Sequence, residues 1–94
     1  MVTEIASIPV KTGQEVAFIG VFKAAVQAVY AAPGCHAGKV YRSQEVASTI
    51  THILQWDTVI DQEQFIASPA GRDFLATIGP FLAAPAKLEH LQEV

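Results

Sequence analysis

The segment 48–56, Ser-Thr-Ile-Thr-His-Ile-Leu-Gln-Trp, limits the fold of this chain more than any other. Its β-branched and aromatic residues predict a strand, and the side chains of a strand alternate between its two faces. One face holds Ile50, His52, Leu54 and Trp56, and the other holds Thr49, Thr51, Ile53 and Gln55. The first face is suited to a protein core. The second is semi-apolar, which predicts a flat, dehydrated contact surface instead of a water-bathed one.

The chain is short for the amount of apolar surface it carries. It has 94 residues, 51% of them hydrophobic, and we expect one domain over residues 1–94. A domain of this size buries only roughly 60–65% of the surface of its unfolded chain. The apolar surface that a chain of this size cannot bury on its own predicts a subunit interface, a ligand pocket, or both. We therefore expect a homodimer in which the second sheet face packs on the sheet of the partner subunit.

Periodicity predicts an α+β chain with the element order β-α-β-β-α-α-β. Thr12 followed by Glu15 resembles a capping box, and Asp57 is the predicted N-cap of the second helix, which Ser68-Pro69 should end. The predicted strands are 2–10, 35–43, 48–56 and 86–93, and the other predicted helices are about 14–31 and 70–77. This order predicts a ferredoxin-like antiparallel sheet with helices on one face.

Charge and cysteine content exclude several classes of function. The net charge is -3, and the six Lys and Arg residues are scattered, so no basic stripe is available for nucleic acid or an anionic membrane. With one cysteine, Cys35, no intramolecular disulfide can form, which suits the cytoplasm. The N-terminus has no positively charged signal-peptide region, and no apolar run reaches about 18 residues. We expect a cytoplasmic protein without nucleic-acid or membrane partners.

His52 is the leading catalytic candidate. It lies among apolar residues on the predicted core face, where a group that titrates near neutrality can accept the proton of a phenol. The alternative is a core histidine satisfied by a carbonyl group or water. Trp56 and Phe22 are predicted walls for a flat substrate, although both are also suited to a plain core.

Two further residues are predicted to bind the substrate through polar groups. Tyr41 has a hydroxyl that can bond a ligand carbonyl or carboxylate. Arg72, near the start of the short helix, can reach the mouth of a pocket.

No metal or cofactor is expected. The three histidines lie on different predicted strands, and adjacent residues such as Cys35 and His36 point to opposite sides of a strand. The six glycines form neither a dinucleotide-binding loop nor a P-loop.

The order of several short motifs resembles the antibiotic biosynthesis monooxygenase (ABM) family. These motifs are Pro33-Gly34 through Arg42-Ser43 at the second strand, Leu54-Gln55-Trp56-Asp57, Ser68-Pro69-Ala70 with Phe74, Gly79-Pro80-Phe81-Leu82, and Leu88-Glu89-His90-Leu91. The resemblance covers almost the whole chain in one register. It implies a homodimeric α/β barrel with a pocket between sheet and helices in each subunit.

The resemblance also implies a range of activities. Members include monooxygenases that oxidise polycyclic aromatic or quinol substrates without metal or flavin, and others that degrade haem. The haem-degrading members use an asparagine on the first strand, and this chain contains no asparagine. Phe65 and Leu75 stand near the positions of their tryptophan and histidine. Haem degradation of that type is therefore not expected.

Three functions remain open from the sequence. The first is a cofactor-independent monooxygenase that acts on an aromatic or quinol-type small molecule, with His52 as the proton acceptor. The second is a non-catalytic ligand-binding or structural dimer, favoured by the scarcity of polar groups that converge on one place. The third is an isomerase or lyase, which needs an acid and a base in one pocket.

Overall fold

Four antiparallel strands form one sheet, and three helices lie against it. The computed structural model describes residues 1–94. Its elements are β1 (Val2–Pro9), α1 (Glu15–Tyr30), β2 (Cys35–Arg42), β3 (Thr49–Trp56), α2 (Val59–Ala67), α3 (Pro69–Ile78), a 3₁₀ turn (Gly79–Phe81) and β4 (Lys87–Gln92). The strand order is β2-β3-β1-β4. The α+β ferredoxin-like fold predicted from the sequence is confirmed, with element bounds shifted by one or two residues.

The alternation on β3 is as predicted. Register pairs Ile8 with Ile50 and Ala6 with His52, so these side chains share the inner face of the sheet. The inner-face residues of β3 are all buried. Phe18, Phe22 and Val26 of α1 belong to the same core cluster as Ile50, and a second cluster joins Leu54 and Trp56 to the helices. The helices therefore cover this face and leave the other one open.

The two predicted helix N-caps were wrong. Gln14, not Thr12, is the N-cap of α1, and no side chain caps this helix. The chain turns through Gly13, with φ of 88°, which leaves Thr12 outside the helix. Thr58, not Asp57, caps α2: Asp61 N–H donates to its hydroxyl at 3.2 Å, and Asp61 accepts a bond from Thr58 N–H in return.

Asp57 is not the cap because the connection between β3 and α2 is one residue longer than predicted. Its N–H donates to the carbonyl of Gly34 at 2.7 Å, and its carboxylate accepts a bond from His36 Nε2 at 2.8 Å.

Ser68 separates α2 from α3 and caps the second of them. Its hydroxyl accepts a bond from Gly71 N–H at 3.1 Å, and Pro69 occupies the first helical position, where a missing N–H costs nothing. A Cβ at Gly71 would collide with the carbonyl oxygen of Phe65, so only glycine permits this close helix junction. The junction fixes α3 beside the sheet and positions one wall of the cavity described below.

The outer face of the sheet has no helix on it. At its centre Ile5 of β1 pairs with Ile53 of β3, and both are only half-buried by their own chain. Leu91 of β4 and Tyr41 of β2 lie on the same face and are exposed. None of the helices has both the length and the apolar character needed to cross a bilayer.

Candidate active site

A cavity of about 590 Å³ lies between the inner face of the sheet and the helices. Its size is within the range of small-molecule sites. Twenty residues line it, and fifteen of them are hydrophobic. The polar side chains are Glu4, His52, Gln62 and Glu63, and neither lysine nor arginine is among the lining residues. The cavity is thus a largely dry space with a few polar groups.

His52 lies in this cavity together with the two predicted walls, Phe22 and Trp56. Its side chain is only 3% exposed. Phe22 meets the imidazole edge-to-face, with ring centroids 5.2 Å apart. Burial among apolar groups disfavours the charged form and lowers the pKa of His52 to about 4. At neutral pH the imidazole is therefore uncharged and free to accept a proton.

Tyr30 holds the imidazole in place from the end of α1. Its hydroxyl lies 2.8 Å from His52 Nε2, within hydrogen-bond distance. Burial raises the pKa of the Tyr30 hydroxyl, although the backbone N–H of Gly38 opposes this change, so the group stays protonated at neutral pH. When Nε2–H donates to the Tyr30 oxygen, the neutral imidazole carries its lone pair on Nδ1, and Nδ1 can then accept a proton.

The second ring nitrogen of His52, Nδ1, has no hydrogen-bond partner in the chain. The only fully enclosed polar side-chain atom without a partner is Nε2 of His90, so Nδ1 of His52 is not fully enclosed. Since the residue lines the cavity, Nδ1 is the atom that a ligand can reach.

Glu4 is the most informative residue that sequence reasoning missed. It is 7% exposed and lines the same cavity from β1. Trp56 Nε1–H donates to its Oε1 at 2.9 Å, and Nε2 of His90 lies 3.9 Å from the same oxygen. Burial raises the pKa of Glu4, while the Trp56 bond and the charge of His90 oppose that rise. The alternation of side chains along β1 could have identified it, because Glu4 lies on the same face of the strand as Ala6 and Ile8.

Gln62 was also missed. It is one of the two buried residues of α2, together with Phe65, and it lines the cavity. An amide can donate and accept, so Gln62 adds a third polar group without adding charge.

Tyr41 and Arg72 do not line the cavity. A register shift in β2 between His36 and Lys39 places Tyr41 opposite Thr51, on the outer face of the sheet, where it is 49% exposed. On α3 the residues that face the cavity are Phe74, Leu75 and Ile78, and Arg72 is exposed on a different side of the helix. The substrate-binding role predicted for these two residues therefore has no place in the cavity of a single chain.

Cys35 has the properties of an inert thiol. It is half-buried, and burial together with the nearby charge of Glu4 raises its pKa to about 11. A thiol of this kind is a poor nucleophile at neutral pH. No three His, Cys, Asp or Glu side chains come together in a way that could hold a metal ion.

Comparison with known proteins gives a consistent result. The family model described as antibiotic biosynthesis monooxygenase matches residues 1–77. The crystal structure of a Bordetella bronchiseptica protein named for this family superposes with a TM-score of 0.93 at 31% identity, covering 99% of this chain and 96% of that one.

More distant structures share the fold. A Nitrosomonas europaea protein named for the same family has a TM-score of 0.84 at 17% identity, covering 100% of this chain and 99% of its own. Rv0793 of Mycobacterium tuberculosis has a TM-score of 0.82 at 19% identity, covering 99% and 94%. No curated protein matches the sequence.

Proposed function

The chain belongs to the antibiotic biosynthesis monooxygenase family, and from this premise we propose that it is a cofactor-independent monooxygenase. Its substrate is an aromatic or quinol-type small molecule that binds in the cavity between sheet and helices. The observation that carries the proposal is the uncharged His52 in an apolar cavity, with one ring nitrogen anchored by Tyr30 and the other open to a ligand.

His52 acts as the proton acceptor for a substrate hydroxyl. Burial is the cause that lowers its pKa. A phenolate that forms beside the ring supplies a negative charge and raises the pKa again. The residue is therefore a base whose strength increases as the substrate anion appears, as a general base requires.

An electron-rich aromatic anion can reduce dioxygen without a cofactor. The deprotonated substrate transfers one electron to dioxygen, and the resulting radicals combine to form a C–O bond. Loss of water then leaves one oxygen atom in the product and the other in water, so a 1,4-dihydroxynaphthalene and dioxygen balance as a hydroxynaphthoquinone and water. The protein contributes a dry cavity, a base and aromatic walls such as Phe22 and Trp56.

Oxygen uptake tests this function. The purified protein should consume dioxygen with some members of a panel of hydroquinones and anthrones, and His52→Ala should lose most of this activity. Tyr30→Phe should retain part of it, since the base remains but its anchor is lost. His36→Ala is the matched control, because His36 is exposed and bonds only Asp57. Full activity of His52→Ala would refute the assigned role.

Two other functions have partial support. The apolar lining favours a non-catalytic binding protein, which would bind aromatic ligands tightly without consuming oxygen. Glu4 and His52 in one cavity also meet the need of an isomerase or lyase for an acid and a base. Such an enzyme would convert a small lactone or dienone under anaerobic conditions, which the monooxygenase would not do.

We also propose that two copies form a homodimer through the outer face of the sheet. The two central strands carry no charge on this face, where Ile5 and Ile53 meet, and the charged residues Lys39, Lys87 and Glu89 lie on the edge strands. An apolar centre with a charged rim is the usual anatomy of a subunit interface. Leu91 and Tyr41 extend the apolar area to both edges.

Light scattering at micromolar concentration tests the dimer. The wild-type chain should have twice the mass of one chain, and Ile53→Asp should reduce the mass to one copy, because it places a charge at the centre of the interface. Glu45→Gln, in an exposed turn, is the control. A monomeric wild-type chain would contradict the proposal.

The cytoplasm is the location that we propose for this function. The single cysteine is free, as is usual in a reducing compartment. Cell fractionation of the host organism should recover the protein with cytoplasmic markers, and recovery with secreted or membrane markers would contradict this location.

A further inference from the structure

The cavity has a second polar group that the reaction at His52 does not use. Glu4 pairs with Leu54, and His52 pairs with Ala6, so the two residues are diagonal neighbours on adjacent strands. Diagonal neighbours on one face lie roughly 7–8 Å apart, with their Cβ atoms somewhat closer. Two hydrogen-bonding groups therefore lie at separate points of one largely apolar cavity.

One oxygen of Glu4 belongs to the fold, and the other does not. Oε1 accepts the bond from Trp56 Nε1 and lies 3.9 Å from Nε2 of His90. Oε2 has no hydrogen-bond partner in the chain, because Trp56 Nε1 donates only to Oε1. Since His90 Nε2 is the only fully enclosed polar side-chain atom without a partner, Oε2 is not fully enclosed. Since Glu4 lines the cavity, Oε2 is the oxygen that a ligand can reach.

The charges around the cavity indicate which ligands Glu4 can accept. No lysine or arginine is among the lining residues, and the exposed Glu63 adds a second carboxylate to them. A carboxylate group on a ligand would lose its hydration without gaining a cation in return, which is costly in an apolar site. A neutral hydroxyl or amino group can instead donate a hydrogen bond to Oε2.

We infer that Glu4 is the specificity-determining residue of this cavity. Its carboxylate selects a neutral substrate that carries a second hydrogen-bond donor, a hydroxyl or an amino group, away from the hydroxyl taken by His52. It excludes substrates with a carboxylate at that position. The inference rests on the proposed function for the role of His52, but it concerns binding and is tested without turnover.

Calorimetric titration under anaerobic conditions compares three ligands that share one ring system. 1,4-Dihydroxynaphthalene carries the second donor, 1-naphthol lacks it, and 4-hydroxy-1-naphthoate replaces it with an anion. A hydrogen bond to a charged group contributes about 1.5–3 kcal/mol, so the diol should bind about tenfold tighter than 1-naphthol or better. The naphthoate should bind more weakly than 1-naphthol.

Glu4→Gln tests the residue itself. The glutamine oxygen can still accept the bond from Trp56 Nε1, which places the amide NH₂ where Oε2 was. The acceptor is thereby replaced by a donor, so the preference for the diol should fall to about twofold or less and the naphthoate should bind more tightly. The affinity for 1-naphthol should stay close to that of the wild type, which shows that the cavity is intact. Glu45→Gln, in an exposed turn, should keep the wild-type order.

The outcomes separate this inference from the proposed function. Equal binding of the diol and 1-naphthol by the wild-type protein would overturn the role of Glu4 and needs no variant. An unchanged preference in Glu4→Gln would also overturn it, even if the protein consumes oxygen with quinols. A diol preference that depends on Glu4 supports the inference, even if no oxygen is consumed and the proposed function fails.

Discussion

Protonation of His52 should destabilise the folded chain, because the imidazole is buried among apolar groups. Its pKa is lowered from 6.5 to about 4 by burial, so between these values the unfolded chain binds a proton that the folded chain does not. The free energy of unfolding must therefore fall as the pH falls through this window. The contribution is fully present above pH 6.5 and is lost as the pH approaches 4.

The size of this loss follows from the shift in pKa. One pKa unit corresponds to about 1.36 kcal/mol, so lowering the pH from 7 to 4.5 should cost on the order of 2–3 kcal/mol through His52 alone. This is a large part of the roughly 5–15 kcal/mol that stabilises a typical domain. Glu4 acts in the opposite direction, since burial raises its pKa above 4.5 and its protonation as the pH falls favours the folded chain.

Urea unfolding of the wild type and of His52→Phe at both pH values isolates the histidine. Phenylalanine fits beside Phe22 and has no titratable group, so the variant should lose on the order of 2–3 kcal/mol less than the wild type between pH 7 and pH 4.5. Protein concentration must be the same throughout, because a dimer would make the apparent stability depend on it. His36→Gln, which changes an exposed histidine, should retain the steep wild-type loss. Equal losses in the wild type and His52→Phe would refute the burial of an uncharged His52.

Three substitutions test other parts of the structure by thermal or urea unfolding. Trp56→Phe removes the donor to Glu4 Oε1 and should cost about 1–3 kcal/mol, whereas a cost near zero would mean that this bond does not form. Gly71→Ala places a Cβ against the Phe65 carbonyl and 2.8 Å from Ile66 Cα. It should therefore lower the free energy of unfolding by about 3 kcal/mol. Wild-type stability would contradict the close junction of α2 and α3. Thr58→Ala removes the cap of α2 and should cost about 1 kcal/mol, while Asp57→Ala should leave the cap intact.

The fold was predictable because its main signals are local and periodic. The alternation of Ile50, Leu54 and Trp56 on β3 identified the core face, and the structure buries all three. The breaks at Pro33-Gly34 and Ser68-Pro69 separate elements almost where the structure does. The two N-caps were wrong because a cap depends on where the chain leaves the preceding strand or turn, and a shift of one or two residues changes the capping side chain.

The site was less predictable because its contacts join distant parts of the chain. His52 was identified from its own strand, but its partner Tyr30 lies at the end of α1, twenty-two residues away. The bond from Trp56 to Glu4 depends on the register between β1 and β3. Tyr41 was predicted to bind the substrate, but an irregularity in β2 that its sequence does not reveal places this residue opposite Thr51 on the outer face of the sheet.

Turnover under oxygen-18 gas tests the central claim most directly. A quinol that the protein oxidises should give a product with one labelled oxygen atom, and the second labelled atom should appear in water. His52→Ala should form little of the labelled product, while His36→Ala should form as much as the wild type. An unlabelled product, or label found only in hydrogen peroxide, would contradict a monooxygenase that inserts oxygen in this cavity.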